Sequence, residues 1–237
     1  MAAPRTPPNK YRPKGIDLLY EDRDLVVVEK PCGLLTMGTD RDKSRTVHTI
    51  LNEYVRKGDP RSRNRAYIVH RLDRDTSGIL LFAKSEAVKL SLQAQWKDTE
   101  KHYLTVVQGR MPERQGTISS YLVENSALTV YSTPDPAQGK LSHTSYTVLK
   151  ENGAFTLLNI HLLTGRKHQI RVHLSEQGHP VVGDTKYGNG KNGAAHLALH
   201  ARSLSFQHPV SGRRLTFETP MPERFIRLVG PVEAPPE

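Results

Sequence analysis

Residues 66–84 read AYIVHRLDRDTSGILLFAK, in which two apolar runs enclose a short, highly charged loop. Both runs have the β-branched and aromatic composition that is typical of strands. A strand that stops, exposes arginine and aspartate, and then resumes indicates that the loop serves a site, because loops held between rigid strands commonly carry functional groups. The stretch therefore predicts a functional site that contains Arg71 and Asp73.

The 237-residue chain is strongly basic, with a net charge of +10 and an isoelectric point of about 9.7. A surplus of this size favours a polyanionic partner, and nucleic acid is the commonest one. A basic protein kept soluble by its surface charge is the simpler interpretation. The arginines close to the loop favour nucleic acid instead, since guanidinium groups match phosphate geometry. They are Arg61, Arg63, Arg65, Arg71 and Arg74.

Apolar residues make up 36% of the chain, and no apolar run approaches the ~20 residues needed to cross a bilayer. The first residues lack the apolar core of a signal peptide. Because Cys32 is the only cysteine, no intrachain disulfide can form, which agrees with a reducing compartment. We therefore expect a soluble, cytoplasmic protein without a membrane partner.

The histidines do not predict a metal site. His168 and His173 are five residues apart, which places them ~140° apart around a helix. His196 and His200 have helical ligand spacing, but the residues around them favour a strand, in which four residues span ~13 Å. No metal is expected.

The predicted elements indicate an α+β fold with a mainly antiparallel mixed central sheet and flanking helices. Thr46 and Ser85 are each expected to begin a helix, the second of which extends to about Lys97. Two further helices are predicted over residues 168–177 and 223–229. Strands are predicted over residues 16–20, 25–29, 102–108, 116–123, 128–132, 143–150, 155–163, 197–206 and 214–218. We expect a flexible arm at residues 1–14, one catalytic domain over 15–230 and a tail at 231–237.

Parts of the loop resemble two familiar catalytic signatures, but the other residues that each signature requires are missing from the sequence. Asp75-Thr76-Ser77-Gly78 is similar to an aspartic protease loop, but that chemistry needs two such carboxylates, and Asp184-Thr185 is followed by Lys186 instead of glycine. The run from His70 to Asp73 is similar to a kinase catalytic loop, yet the chain has neither a glycine-rich phosphate loop nor an Asp-Phe-Gly metal site.

Three segments taken together resemble the RluA-type family of RNA pseudouridine synthases. The first is the run from His70 to Gly78, the second is the strand that carries Tyr103, and the third runs from Gly165 to His173 and is followed by Gly178-His179-Pro180 and Gly183-Asp184. The resemblance covers about residues 16–229. It implies the pseudouridine synthase fold with a catalytic cleft, and an isomerisation of uridine in RNA that needs no cofactor and no metal.

The resemblance also implies roles for individual residues. Asp73 is the catalytic carboxylate, Tyr103 lies against the target base and Arg171 pairs with Asp73. Arg71 contacts RNA near the position that the flipped uridine leaves. Further RNA contacts are expected from His70, Thr76, Lys101 and Leu174, and phosphate contacts from Arg61, Arg63, Arg65, Arg166 and Lys167.

Several alternatives stay open at this point. We expect no small N-terminal S4 domain of the kind that many relatives carry, which favours a tRNA or a structured rRNA stem-loop as substrate, with no obligate protein partner. Asp73 is compatible with attack at C1′, attack at the uracil ring, or proton removal at C2′. A non-catalytic RNA-binding protein that retains the fold is the main rival, although a carboxylate in a phosphate-binding cleft weakens binding. A carboxylate-dependent hydrolase is a third possibility.

Overall fold

The structure is a computed structural model that describes residues 12–38, 45–59, 61–188 and 195–231. The predicted arm and tail lie outside these ranges, apart from residues 12–14 and 231. The helices are α1 (Val47–Arg56), α2 (Glu86–Ala94), α3 (Gln169–Glu176) and α4 (Glu223–Val229). The strands are β1 (Asp17–Glu21), β2 (Leu25–Lys30), β3 (Tyr67–Ile68), β4 (Ser77–Ala83), β5 (Glu100–Gln108), β6 (Gln115–Glu124), β7 (Val130–Thr133), β8 (Lys140–Glu151), β9 (Phe155–Leu162), β10 (Leu199–Gln207) and β11 (Arg214–Glu218).

The chain divides into two compact units. Unit 1 contains Met1–Thr99 and Ser203–Thr219, and unit 2 contains Glu100–Arg202 and Pro220–Glu237. Strand β10 begins in unit 2 and ends in unit 1. The strand pairs within each unit are antiparallel, so the predicted α+β class on a mainly antiparallel sheet is confirmed.

Unit 1 is built around β4, all seven residues of which are buried. On one side β4 pairs with β2, which in turn pairs with β1, and the short β3 also pairs with β4. The second half of β10 pairs with β11. Leu25 and Val27 of β2, Val88 and Leu92 of α2, and Phe206 of β10 belong to one apolar core. Burial of these side chains, at ~25 cal/mol per Å² of apolar surface, stabilises the unit.

The two predicted helix starts in unit 1 are confirmed. Thr46 caps α1 through a reciprocal pair of hydrogen bonds with Thr49, at 3.1 and 2.8 Å. Ser85 caps α2 by accepting from the Val88 N–H at 3.2 Å. Helix α2 ends at Ala94, earlier than predicted, because the chain tightens into a 3-10 turn over Trp96–Asp98.

Unit 2 contains an antiparallel sheet in the order β5-β9-β8-β6-β7. Helix α3 follows β9 after a short turn, and Gly178 lies directly beyond its C-terminal end with a φ of 83°. That left-handed conformation favours glycine, and it supports the prediction that Gly178 ends the helix. None of the helices within the described ranges has the length and apolar character that crossing a bilayer requires.

Candidate active site

The Asp73 loop, residues 69–76, connects β3 to β4 in unit 1. Within this loop Leu72 and Thr76 are buried, Arg71 is exposed and Asp73 is half-buried. The Thr76 N–H donates to the Asp73 carbonyl at 3.2 Å and closes a turn. The loop therefore presents a partly accessible carboxylate between two anchored residues.

The backbone on both sides of Asp73 is held by the segment that follows β2. The Thr36 hydroxyl donates to the Leu72 carbonyl at 2.8 Å and accepts from the Leu72 N–H at 3.2 Å. On the other side, the Gly33 N–H donates to the Arg74 carbonyl at 3.0 Å. A carboxylate whose two neighbours are fixed in this way is pre-organised, as a catalytic group needs to be.

Lys30, at the end of β2, has no solvent-accessible surface. Its ammonium group donates to the carbonyl oxygens of Pro31 at 2.9 Å, Leu34 at 2.7 Å and Arg74 at 2.7 Å. A buried ammonium is tolerated only when such acceptors replace water. Sequence reasoning missed Lys30, because a lysine before Pro-Cys-Gly has the pattern of an exposed strand end.

Replacement of Lys30 by methionine is expected to reduce the rate at saturating RNA by about 10²-fold, since a displacement of ~1 Å at a reacting group has an effect of that size. The variant leaves the Pro31 and Leu34 carbonyls without their lysine donor, so the free energy of unfolding also falls, by about 1–3 kcal/mol for each unsatisfied group. Single-turnover kinetics and urea denaturation measure the two effects. Lys97→Met removes an exposed lysine of the same unit and is expected to change neither.

The apolar run before the loop forms a strand over only two residues, because the chain leaves the sheet as the loop begins. The Val69 carbonyl accepts from the Gln93 side chain of α2 at 3.0 Å, and His70 Nε2 accepts from the Leu81 N–H at 3.1 Å. The His70 ring also packs on Trp96, with the ring centres 4.6 Å apart. His70 therefore fixes the loop to β4 and the 3-10 turn, and its contact with RNA stays a prediction.

Lys101 and Tyr103 lie on β5 in unit 2, two residues apart and therefore on the same face of the sheet. Both are largely buried, with exposed fractions of 7% and 9%. Tyr103 is opposite Ile160 of β9. The structure thus brings these two predicted site residues together, in a rigid setting that defines where the tyrosine ring lies.

Arg171 of α3 forms a buried, bidentate ion pair with Asp184. Its Nε donates to Oδ2 at 2.7 Å and its Nη2 to Oδ1 at 2.9 Å. The Asp184 Oδ1 also accepts from the N–H groups of Lys186 and Tyr187, at 2.9 and 3.0 Å. The Tyr187 ring lies 5.1 Å from the Arg171 Cζ. Asp184 thus fixes the orientation of the predicted catalytic arginine, a role that the sequence analysis did not assign to it.

Two opposing effects act on the pKa of Asp184. Burial raises it, but the hydrogen bonds and charge of Arg171, together with two backbone donors, outweigh that effect and hold the pKa below its usual range. The carboxylate is therefore ionised at neutral pH, as a partner of the guanidinium has to be.

His173, one turn beyond the start of α3, is fully buried and bonded at both ring nitrogens. Nδ1 lies 2.9 Å from the Thr144 hydroxyl and Nε2 lies 3.0 Å from the Ser120 hydroxyl. Burial is the main cause that lowers its pKa to about 4. His200 is also buried, and burial followed by the charges of Arg224 and Arg202 lowers its pKa to about 3. Both histidines are therefore neutral at pH 7.

The free energy of unfolding is expected to fall as the pH drops from about 6.5 to 4. The unfolded chain binds protons at these two histidines below pH ~6.5, whereas the folded state does not until the lowered pKa values are reached, so acid favours unfolding. Each proton contributes a slope of about 1.4 kcal/mol per pH unit. Urea denaturation of His173→Gln should show a smaller slope than wild type by about that amount, and an equal slope would contradict the assignment.

Comparison with known proteins decides the family. A family model for RNA pseudouridylate synthase matches residues 24–176. A Bacillus subtilis protein named uncharacterized RNA pseudouridine synthase YjbO is 34% identical over 220 residues, which cover 92% of this chain and 76% of that protein. The ribosomal large subunit pseudouridine synthase C of Vibrio vulnificus is 33% identical over 96% of this chain and 72% of its own length. The chain belongs to the RluA-type family of RNA pseudouridine synthases.

Solved structures agree with this family. The human RNA pseudouridylate synthase domain containing 1 matches with a TM-score of 0.70 and 28% identity, over 91% of this chain and 86% of that chain. The protein is therefore an RNA pseudouridine synthase, an isomerase, and it has the α+β fold that the resemblance implied.

The arginines expected to contact RNA lie at the surface of this pseudouridine synthase. Arg61, Arg63 and Arg71 are exposed, and Arg65 is half-buried. Arg65 Nη1 donates to the carbonyls of Ser62 and Asn64, at 2.7 and 2.8 Å. Their charges are therefore available to a polyanion in unit 1, although contact with RNA stays a prediction.

Arg166 and Lys167 are exposed in the turn that precedes α3. The buried side chain of Gln169 organises this turn by accepting from the Arg166 N–H at 3.0 Å and from the Thr164 hydroxyl at 2.9 Å. Lys167 forms an ion pair with Glu124, and this hydrogen bond is the main cause that lowers the pKa of that carboxyl. An approaching phosphate has to displace Glu124 from Lys167, so Arg166 is the more available cation.

Two residues of the predicted RNA-contact set are buried. Leu174 has no accessible surface and Thr76 is 2% exposed. Each lies in an element that carries a predicted catalytic residue, α3 for Leu174 and the Asp73 loop for Thr76. RNA reaches either of them only if neighbouring side chains move, and direct contact stays a prediction.

Within the described ranges, one group of potential metal ligands lies close together, Asp22, Asp24 and His208. The Asp22 Oδ1 already accepts from the N–H groups of Asp24 and Leu25, at 2.8 and 2.7 Å. Its Oδ2 accepts from the Tyr20 hydroxyl at 2.7 Å and lies 3.0 Å from His208 Nε2. These contacts describe a capped hairpin turn rather than a site for an ion.

Proposed function

We propose that this protein converts specific uridines in structured RNA to pseudouridine, with Asp73 as the catalytic carboxylate. The observation that carries the proposal is the fixation of the Leu72 and Arg74 backbone on either side of Asp73, which positions a half-buried carboxylate in a protein that belongs to the synthase family. An ionised aspartate is suited to act as a nucleophile or a base.

The reaction breaks the bond between C1′ and N1, rotates the base and forms a bond between C1′ and C5. The proton at C5 leaves and N1 gains a proton, so the atoms balance without a redox partner. We propose that Arg171, held by Asp184, is the guanidinium partner of Asp73 and keeps it ionised. Tyr103 lies against the uracil and is the candidate that receives the C5 proton.

Since the target atoms are stacked inside folded RNA, the uridine has to leave the stack before it reacts. We propose that the exposed Arg71 enters the space that the base vacates, because a planar guanidinium stacks well on neighbouring bases. The other basic residues, Arg61, Arg63, Arg65 and Arg166, would supply salt-sensitive affinity for phosphates.

We further propose that the substrate is ribosomal RNA. The name of the Vibrio vulnificus relative refers to the large ribosomal subunit, and that protein aligns over most of both chains. Transfer RNA is the alternative substrate. The reducing compartment indicated by the single cysteine makes the cytoplasm the proposed place of action.

Pseudouridine mapping tests this proposal. Unmodified transcripts of large-subunit rRNA and of tRNAs are incubated with the purified protein, and each modified position is located. Pseudouridine at defined rRNA positions is the expected result. Modification of tRNA alone would overturn the proposal that the substrate is ribosomal RNA. Binding of both RNAs without modification would favour the non-catalytic RNA-binding alternative.

A further inference from the structure

A groove of about 740 Å³ lies in unit 1 between α1, β3 and α2. Its lining includes Arg56 at the end of α1, Arg65 and Tyr67 on the approach to the Asp73 loop, and Lys89 on α2. Resting on the proposed function, we propose that this groove binds the phosphodiester backbone of the substrate RNA at nucleotides that flank the modified uridine.

The charge of the groove favours a polyanion. Among the described residues that line it, three are cationic and Glu53 is the sole acid. No ion pair joins Glu53 to Arg56, Arg65 or Lys89 within the described part of the chain. The Arg56 Nε is buried and has no hydrogen-bond partner among the described residues. Arg56, Arg65 and Lys89 therefore have no ion pair with the one acid among the described lining residues, and phosphates of an RNA backbone can neutralise their charge.

The walls of the groove are held together by side-chain hydrogen bonds, so the groove exists before RNA arrives. His48 Nε2 of α1 lies 2.9 Å from the Ala66 carbonyl, and the Asn52 side-chain oxygen accepts from the Ala66 N–H at 3.0 Å. The Asn64 amide donates to the Val55 carbonyl at 3.3 Å. A preformed groove avoids the entropic cost of ordering a loop on binding.

The position of the groove suits an RNA that also occupies the Asp73 loop. Tyr67 and Asp73 are six positions apart in the sequence, so the chain places them at most ~20 Å apart. A single stem-loop reaches both points. The half-buried ring of Tyr67 adds an aromatic surface on which an unpaired base can stack. Three dispersed cations match a chain of phosphates better than one small anion, which requires converging donors.

The test compares two double variants that remove the same charge. Arg56→Gln/Lys89→Gln changes the groove, and Arg23→Gln/Lys97→Gln removes two exposed cations of unit 1 that do not line it. Affinity for in vitro transcribed large-subunit rRNA is measured over a series of KCl concentrations. The groove variant is expected to bind several-fold more weakly, with a plot of log K against log salt that is shallower by about 1.5, whereas the control keeps the wild-type slope.

Wild-type affinity and slope in the groove variant, or an equal loss in the control, would overturn the inference. Lys89→Glu provides a second groove variant should Arg56→Gln prevent folding, and it is expected to weaken binding in the same direction. Because the affinity measurement does not require pseudouridine formation, the two proposals can fail separately. A wild-type protein that forms no pseudouridine refutes the proposed function, and the comparison of the two double variants still tests the groove. An active wild type with an unaffected groove variant refutes the groove alone.

Discussion

Asp73→Asn protein is expected to form pseudouridine at least about 10²–10⁴-fold more slowly than wild type, the range attributed to a positioned catalytic group. Asparagine preserves the shape of the side chain but can neither attack as an anion nor remove a proton. The Thr36 and Gly33 contacts that hold the loop involve the backbone of neighbouring residues, so they survive the substitution. Single-turnover conversion of an rRNA transcript measures the rate.

Asp75→Asn is the matched control for this experiment. Asp75 lies in the same loop, is half-exposed and forms a 3.4 Å ion pair with the exposed Arg74. Exposed pairs contribute little to stability, so the control is expected to retain near wild-type activity. Equal losses of activity in the two variants would show that the loop responds to any loss of negative charge. That result would contradict the assignment of Asp73 as the catalytic carboxylate.

Asp184→Ala is expected to lower the free energy of unfolding by about 3–5 kcal/mol, because it leaves the guanidinium of Arg171 buried without its carboxylate. The contribution also depends on pH. The pKa of Asp184 is lowered in the folded state, so its stabilisation is present above the unfolded pKa of ~3.9 and is lost as the pH falls below that value. Urea denaturation at pH 7, followed by circular dichroism, measures the loss.

Glu124→Gln is the comparison for Asp184→Ala. It breaks the ion pair between Glu124 and Lys167, which is about one-third exposed at both ends. The expected change in unfolding free energy is within ~0.5 kcal/mol, as for most surface substitutions. Equal losses of unfolding free energy in the two variants would contradict the claim that burial makes the ion pair of Arg171 and Asp184 strongly stabilising.

Local signals in the sequence were enough to predict the helices and most strands. Thr46 and Ser85 stand before apolar positions at helical spacing, and both cap helices in the structure. The final helix, Glu223–Val229, and the strand Arg214–Glu218 have their predicted bounds. These elements depend on contacts between residues near each other in the chain, which is why periodicity and capping residues reveal them.

The polar support of the site could not be predicted in the same way. Lys30, Gln169 and His173 are buried because their partners come from distant segments or from backbone carbonyls. Such partners leave no periodic pattern, so each residue has the sequence pattern of an ordinary surface residue. Asp184 was noticed within a family motif, yet its bond to Arg171 depends on tertiary structure.

The strand before the Asp73 loop is shorter than its sequence predicts. The residues around Val69 have strong strand propensity, but only Tyr67–Ile68 pairs with β4. The Val69 carbonyl is taken by Gln93 of α2, so a tertiary contact ends the strand. Strand propensity describes how well a side chain fits a pleated sheet, and it does not predict the residue at which the chain leaves the sheet.

The most direct test of the central claim, that Asp73 acts in chemistry and not in RNA binding, uses rRNA transcripts labelled with tritium at uridine C5. Pseudouridine formation releases this label, and a filter-binding assay of the same mixture reports RNA affinity. Wild-type protein should release tritium, while Asp73→Asn should bind the RNA at least as tightly and release tritium at least about 10²-fold more slowly. Tritium release by Asp73→Asn at the wild-type rate would contradict the account.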